Sequence, residues 1–173
     1  YVIIRCGYRG YGSGVLVEDS KYRYNINGAL NAGLKVGIYF FSQAIDEIEA
    51  VEEASMVLES VKNYKISYPI FLDVEPSGGR ADSISVETRT EVCKAFCETI
   101  QSYGYTAGIY ANKTWFTEKI NTGELSGKYK IWLAQYAAEP TYTGRYDMWQ
   151  YSCTGQVPGI AGNVDMNLYF TYE

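Results

Sequence analysis

Short apolar runs rich in β-branched residues alternate with longer amphipathic stretches along most of this chain, and that alternation limits its fold more than any other feature. Seven runs read as strands: residues 2–6, 36–41, 70–74, 107–110, 131–135, 148–151 and 164–166. Those before residue 112 are apolar on both faces, as parallel strands covered by helices must be. Residues 22–32, 45–64 and 85–103 carry helical periodicity; in the third, Val86, Thr90, Cys93, Phe96, Cys97 and Ile100 share one face. Strand, helix and strand in succession predict βαβ units. An internal echo supports this: residues 32–39 and 102–110 both run from a helix end through a stop glycine, Gly33 or Gly104, into Gly-Ile-Tyr. That is the repeating unit of an α/β barrel. Beyond residue 112 the strands follow one another at shorter spacing, so the expected fold is α/β, an irregular TIM-like (β/α) barrel whose last third has short consecutive strands.

With 173 residues and neither a linker nor a low-complexity stretch, the chain reads as a single domain over residues 1–173. A net charge of -5, with no run of Lys or Arg beyond two, argues against nucleic acid as a partner. No apolar run approaches the roughly 18 residues that would span a bilayer, and no leader is visible. There is no histidine, which removes Ser-His-Asp triads, Cys-His pairs and His-ligated zinc. Acid/base chemistry must then run on carboxylates or tyrosine. Of the cysteines Cys6, Cys93, Cys97 and Cys153, only Cys93 and Cys97 lie close in sequence, one helical turn apart; all four are expected to be buried free thiols, which leaves the redox compartment open.

Asp73 and Glu75 stand two apart in Phe-Leu-Asp-Val-Glu-Pro, at the C-terminal end of an expected buried strand. Alternate strand residues share a face, separated by roughly 6.6 Å of rise, and the C-terminal mouth of a parallel barrel is where active sites assemble. Two carboxylates this close repel, so the less solvated one should keep its proton to higher pH and serve as an acid. That division suits glycoside hydrolysis. Two other readings stay open: Asp73 as a loop cap beside a solvated Glu75, and an Asp-X-Glu magnesium site, which would need further oxygen ligands. Asp165, in Asn-Val-Asp-Met-Asn, can reach the same mouth or serve as a loop cap. Tyr39, Tyr110, Trp132, Tyr136, Trp149 and Tyr151 cluster at strand ends beside Gln135, Gln150 and Asn112, where rings and amides suit either a polysaccharide or a barrel core. Arg5, inside a strand, calls for a carboxylate partner.

Seven ordered motifs carry a resemblance: Ile-Ile-Arg-Cys-Gly-Tyr from Ile3, Gly-Ile-Tyr-Phe-Phe-Ser from Gly37, Pro-Ile-Phe-Leu-Asp-Val-Glu from Pro69, Gly-Ile-Tyr-Ala-Asn from Gly108, Ile-Trp-Leu-Ala-Gln-Tyr from Ile131, Met-Trp-Gln-Tyr from Met148 and Gly-Asn-Val-Asp-Met-Asn from Gly162. Together, across essentially the whole chain, they resemble the glycoside hydrolase family 25 lysozymes. The resemblance implies a muramidase that cleaves the β-1,4 bond between N-acetylmuramic acid and N-acetylglucosamine, without metal or cofactor, outside the cell or at its wall. Its partner would be the glycan strands of peptidoglycan. By resemblance Glu75 matches the general acid, Asp73 a neighbouring carboxylate that assists it or orients the substrate's acetamido group, and Asp165 a third groove carboxylate. Tyr39, Tyr110, Asn112, Trp132, Gln135, Tyr136 and Trp149 fall at substrate-facing or groove-lining positions. Whether a carboxylate or the substrate's acetamido group attacks stays open. One departure stands out: the family's opening Asp-X-Ser strand and following Gln-Gly have no match. The expectation is a trimmed or naturally shortened barrel lacking one strand and one carboxylate, with exposed edges that favour a dimer. A peptidoglycan-binding pseudoenzyme or an inactive self-associating fragment is the alternative.

Overall fold

A computed structural model describes residues 1–171, and its eight strands form one mostly parallel sheet in the order β2-β1-β3-β4-β5-β6-β7-β8. These are β1 (Val2–Arg9), β2 (Leu16–Glu18), β3 (Val36–Phe41), β4 (Ile70–Asp73), β5 (Ala107–Asn112), β6 (Lys130–Ala134), β7 (Met148–Gly155) and β8 (Val164–Tyr169). Pairing is parallel from β1 through β3, β4, β5, β6 to β7; β2 on β1 and β8 on β7 are antiparallel. The sheet curls as an irregular TIM-like half-barrel, with β2 and β8 at its two ends.

The helices are α1 (Tyr22–Asn31), α2 (Glu47–Val61), α3 (Val86–Ser102) and α4 (Lys113–Glu118). Side-chain caps set where three of them begin. Asp46 accepts from the Glu49 amide at 2.8 Å to start α2, Ser85 from Thr88 at 3.0 Å to start α3, and Asn112 from Trp115 at 2.8 Å to start α4. The chain therefore enters α2 two residues later than its apolar periodicity suggests. Gly33 and Gly104, at φ +76° and +87°, turn the chain after α1 and α3 into β3 and β5.

Alternate residues of each strand divide the sheet's two faces. One face meets the helices in a core that includes Ile4, Ile38, Phe40, Ile70, Leu72, Val92, Phe96, Ile109 and Ile131. The other forms the barrel interior, where Phe71, Trp132 and Met148 are buried against Ile3, Tyr39, Tyr110 and Tyr169. The Gly-Ile-Tyr echo has a packing cause here. Gly37 on β3 and Gly108 on β5 flank β4, and a Cβ on Gly108 would lie 2.6 Å from both the Phe71 ring and the Lys130 carbonyl oxygen. A Cβ on Gly37 would lie 2.6 Å from Ile3 Cδ1 and from the Pro69 carbonyl oxygen. Each glycine makes room for the barrel's inner layer, and the tyrosine two residues later lines the interior above it.

Two expectations need amending. Cys6, Cys93 and Cys97 are buried thiols, but Cys153 is exposed. It lies on the outer half of β7, beyond Gln150, the last β7 residue that pairs with β6, so no packed layer covers it. Arg5 does pair with a carboxylate, Asp19 at 2.7 Å, yet it is 45% exposed rather than buried. The sequence reading also missed β2, three residues long after a glycine-rich turn, and α4.

Gly108→Ala should lower stability by about 1–3 kcal/mol, the usual cost of forcing volume into a packed interior. Thermal unfolding measures it; an unchanged melting temperature would show that the Phe71 ring can yield.

Candidate active site

Parallel strands end together, and the mouth they form holds the carboxylates. Asp73 is the last residue of β4, in register with Phe41 on β3 and Tyr110 on β5. It is 5% exposed, and its Oδ1 has no hydrogen-bond partner within the protein. Glu75 follows two residues later, half-buried, where the chain has left the strand. Asp73, Glu75 and Asp165 of β8 all line one cavity of about 700 Å³, together with Tyr39, Tyr110, Trp132, Gln150 and Asn167.

Their ionisation follows from this placement. Burial pushes the Asp73 carboxyl well above the usual range, and the charge of Glu75 adds to the rise. Glu75 is raised as well, first by burial, while its hydrogen bond with Asp73 opposes the rise. Asp165 is raised by burial alone and pushes both neighbours further. Both carboxyls therefore keep a proton to higher pH than a solvated carboxylate does, Asp73 the more strongly. Such a pair titrates as a unit. Burial, followed by the charge of Asp73, pushes the Tyr39 phenol up to about 12, so it stays a neutral hydroxyl.

The backbone beyond Glu75 is pinned from three sides. Asp82 accepts from the Ser77 and Gly78 amides at 2.9 to 3.2 Å. Gln43, just past β3, donates to Ser77 Oγ at 2.7 Å and accepts from the Ala81 amide at 3.1 Å. Its own backbone N–H is held at 3.2 Å by Glu53, a fully buried carboxylate that also accepts from Arg9 at 3.0 Å. Burial lifts Glu53 to about 7 despite that pairing. From the other side Arg89, 2% exposed, donates to the carbonyls of Ala81, Asp82 and Lys119 and lies 4.3 Å over the Trp115 ring. Strand patterning carries no trace of these supports, because Asp82 closes a local loop outside any strand while Gln43 and Arg89 reach in from other elements.

The expected ligand-facing residues divide. Tyr39, Tyr110 and Trp132 line the cavity, with Trp132 in ring contact with both tyrosines, centroids 6.2 and 4.7 Å away, and with Phe71 at 4.9 Å. Tyr136 is half-exposed at the mouth and donates to Gln150 at 2.7 Å. Asn112 caps α4; Gln135 is engaged by Thr141 at 2.6 and 3.0 Å; Trp149 packs in the helix-side core and donates to the Gln135 carbonyl at 2.8 Å. These three, and Tyr136, are not among the residues that line the cavity. Gln150 and Asn167 are, although patterning marked Gln150 only as a rim amide and Asn167 not at all. Among the described residues no group of three acidic or sulfur side chains is arranged to hold a metal ion, and no helix is long and apolar enough to cross a membrane.

Comparison with known proteins agrees with this architecture. The family model described as Glycosyl hydrolases family 25 matches residues 11–160. The autolytic lysozyme of Clostridium acetobutylicum is 28% identical over 156 residues, covering 89% of this chain and 45% of the relative. Lysozyme M1 of Streptomyces globisporus is 25% identical over 169 residues, 90% of this chain and 56% of the relative. The chain thus spans about half the length of these curated relatives. Among solved structures, the modular autolysin LytC of Streptococcus pneumoniae superposes with a TM-score of 0.82 at 27% identity, covering 97% of this chain and 40% of that one. The same autolysin has been solved with a synthetic peptidoglycan ligand.

Replacing the ionisable carboxyl of Asp73 by a neutral amide should stabilise the fold at neutral pH. Because its folded pKa is raised, the native state holds the proton more tightly than the unfolded chain, and stability falls as pH rises from the ordinary carboxylate range toward the raised value. Asp73→Asn should therefore melt about 2–4 °C higher than wild type at pH 7 for each kcal/mol relieved, and the gain should shrink at pH 4. A variant less stable at both pH values would contradict the assignment.

Proposed function

The chain belongs to glycosyl hydrolases family 25, and from that premise we propose that it is a muramidase, hydrolysing the β-1,4 bond between N-acetylmuramic acid and N-acetylglucosamine in peptidoglycan outside the cell or at its wall. The observation that carries the proposal is the carboxylate pair at the mouth: Asp73 buried at the end of β4, Glu75 half-buried two residues on, and both lining the cavity, a placement in which the pair can share one proton. In this reading the shared proton passes along the hydrogen bond to Glu75, which delivers it to the leaving glycosidic oxygen as the C–O bond breaks. Asp73 is left ionised beside the developing positive charge of the sugar ring, and Asp165 adds a second negative group across the cavity. Water completes the hydrolysis, and the proton it loses restores the pair. Trp132, Tyr39 and Tyr110 form the aromatic floor beneath the sugars.

Burial matters because an acid must still hold its proton at the working pH. A solvated carboxyl would have lost it well below neutrality, whereas burial and two neighbouring carboxylates keep the pair protonated higher.

Purified cell walls incubated with protein should lose turbidity and release reducing ends. Glu75→Gln should slow both by about 100-fold or more, the usual contribution of a positioned acid. Clearing at equal rates by wild type and variant would sink the assignment, and wild-type binding to walls without release of reducing ends would leave a wall-binding role in its place. The alkaline limb of the activity profile should lie above the ordinary carboxylate range. In Asp165→Asn it should move to lower pH, because Asp165 raises both members of the pair. A limb unmoved by that change would place Asp165 outside the acid's environment.

A further inference from the structure

The carboxylate side of the cavity only accepts hydrogen bonds when ionised, so whatever recognises an acceptor on the substrate must come from elsewhere. The opposite wall supplies it. Gln150 on β7 and Asn167 on β8 are cross-strand partners in the sheet register, and both line the cavity that holds Asp73, Glu75 and Asp165. In each amide the oxygen is already committed. Gln150 Oε1 accepts from Tyr110 Oη at 2.8 Å and from Tyr136 Oη at 2.7 Å. Asn167 Oδ1 accepts from Trp132 Nε1 at 2.8 Å. An indole nitrogen can only donate, which fixes the orientation of the Asn167 amide. At Gln150 the two phenols occupy both lone pairs of Oε1, and burial keeps the Tyr110 proton on its oxygen. With both oxygens committed, the N–H groups that remain belong to adjacent amides on one wall of the cavity. Gln150 is itself only 3% exposed, so its donors are held by packing.

We infer that Gln150 and Asn167 form a paired donor site for the acetamido carbonyl of an N-acetylated sugar, and so set the preference of this cavity for N-acetylated over de-N-acetylated glycan. The inference rests on the muramidase reading and extends it to specificity. An acetamido group offers one N–H donor and one C=O acceptor, which match a cavity with carboxylates on one side and amide donors on the other. A free amine, protonated at neutral pH, offers donors only. It satisfies the carboxylates and leaves the buried Gln150 amide and the half-buried Asn167 amide without an acceptor, and unpaired polar groups in a confined site are what make such discrimination steep. Tyr110, Tyr136 and Trp132 act here as positioning residues, since they hold the amides by their oxygens.

The test is binding in a Glu75→Gln background, so that the glycan is not cleaved. The probes are a soluble fragment of alternating N-acetylglucosamine and N-acetylmuramic acid and its de-N-acetylated counterpart, titrated calorimetrically. Gln150→Glu and Asn167→Asp keep the oxygen that the phenols and indole hold and remove the N–H groups; Gln150→Met removes them without adding charge. Each should weaken binding of the N-acetylated fragment by about tenfold to a hundredfold and reduce its advantage over the de-N-acetylated fragment by at least tenfold. Gln150→Glu should shift the preference furthest, because a carboxylate there attracts the free amine. Circular dichroism and thermal melting confirm that each variant is folded. If folded variants keep the background protein's preference, or if that protein does not distinguish the two fragments, the donor site is wrong. Failure of the parent reading looks different: wild-type protein would release no reducing ends from walls, while the binding preference would still decide the role of the amides.

Discussion

A carboxyl group enclosed at the end of the central sheet strand is the constraint on which the site depends. Asp73 is flanked by parallel strands on both sides, and one of its oxygens has no protein partner. Burying an ionised carboxylate in that position would cost several kcal/mol. The raised carboxyl avoids that cost by keeping its proton to higher pH, and the nearby Glu75 adds to the rise. A more open strand end would hold a carboxyl that ionises in the ordinary range.

That enclosure is built from the barrel's inner layer upward. Gly108 leaves room for the Phe71 ring and Gly37 for Ile3 on either side of β4, and Trp132 packs on Phe71 between Tyr39 and Tyr110. The apolar floor excludes water from beneath the carboxylates, which raises their pKa, and the same aromatic groups orient the amides of Gln150 and Asn167. Behind Glu75 the loop is fixed by Gln43, Asp82 and the buried cation Arg89, so the position of Glu75 is set by groups outside the cavity lining.

Much of this was legible in the sequence. Every expected strand is present, because buried parallel strands leave uninterrupted apolar runs, and Gly33 and Gly104 mark helix ends that a left-handed turn requires. The Asp73 and Glu75 pair was visible from spacing alone. What escaped was whatever depends on partners far along the chain. Asp73 rather than Glu75 is the more buried member, a distinction that two-residue spacing does not contain. Gln150 and Asn167 become a pair only through antiparallel register across a bulged β7 and β8. Arg9 with Glu53, and Arg89 with three carbonyls, join elements separated by 7 to 44 residues. Cys153 was misplaced because a strand continuing past its parallel neighbour looks, in sequence, like one that remains covered.

The central claim is that one proton is shared between Asp73 and Glu75, held mainly by the buried Asp73, in the resting protein. Carboxyl-carbon NMR titration of 13C-labelled protein, with the two resonances assigned from Asp73→Asn and Glu75→Gln, tests it most directly. The account predicts that the two carboxyls titrate in coupled steps, the upper one above the ordinary carboxylate range and carried mostly by Asp73. Independent titration of both groups at ordinary carboxylate values would contradict it.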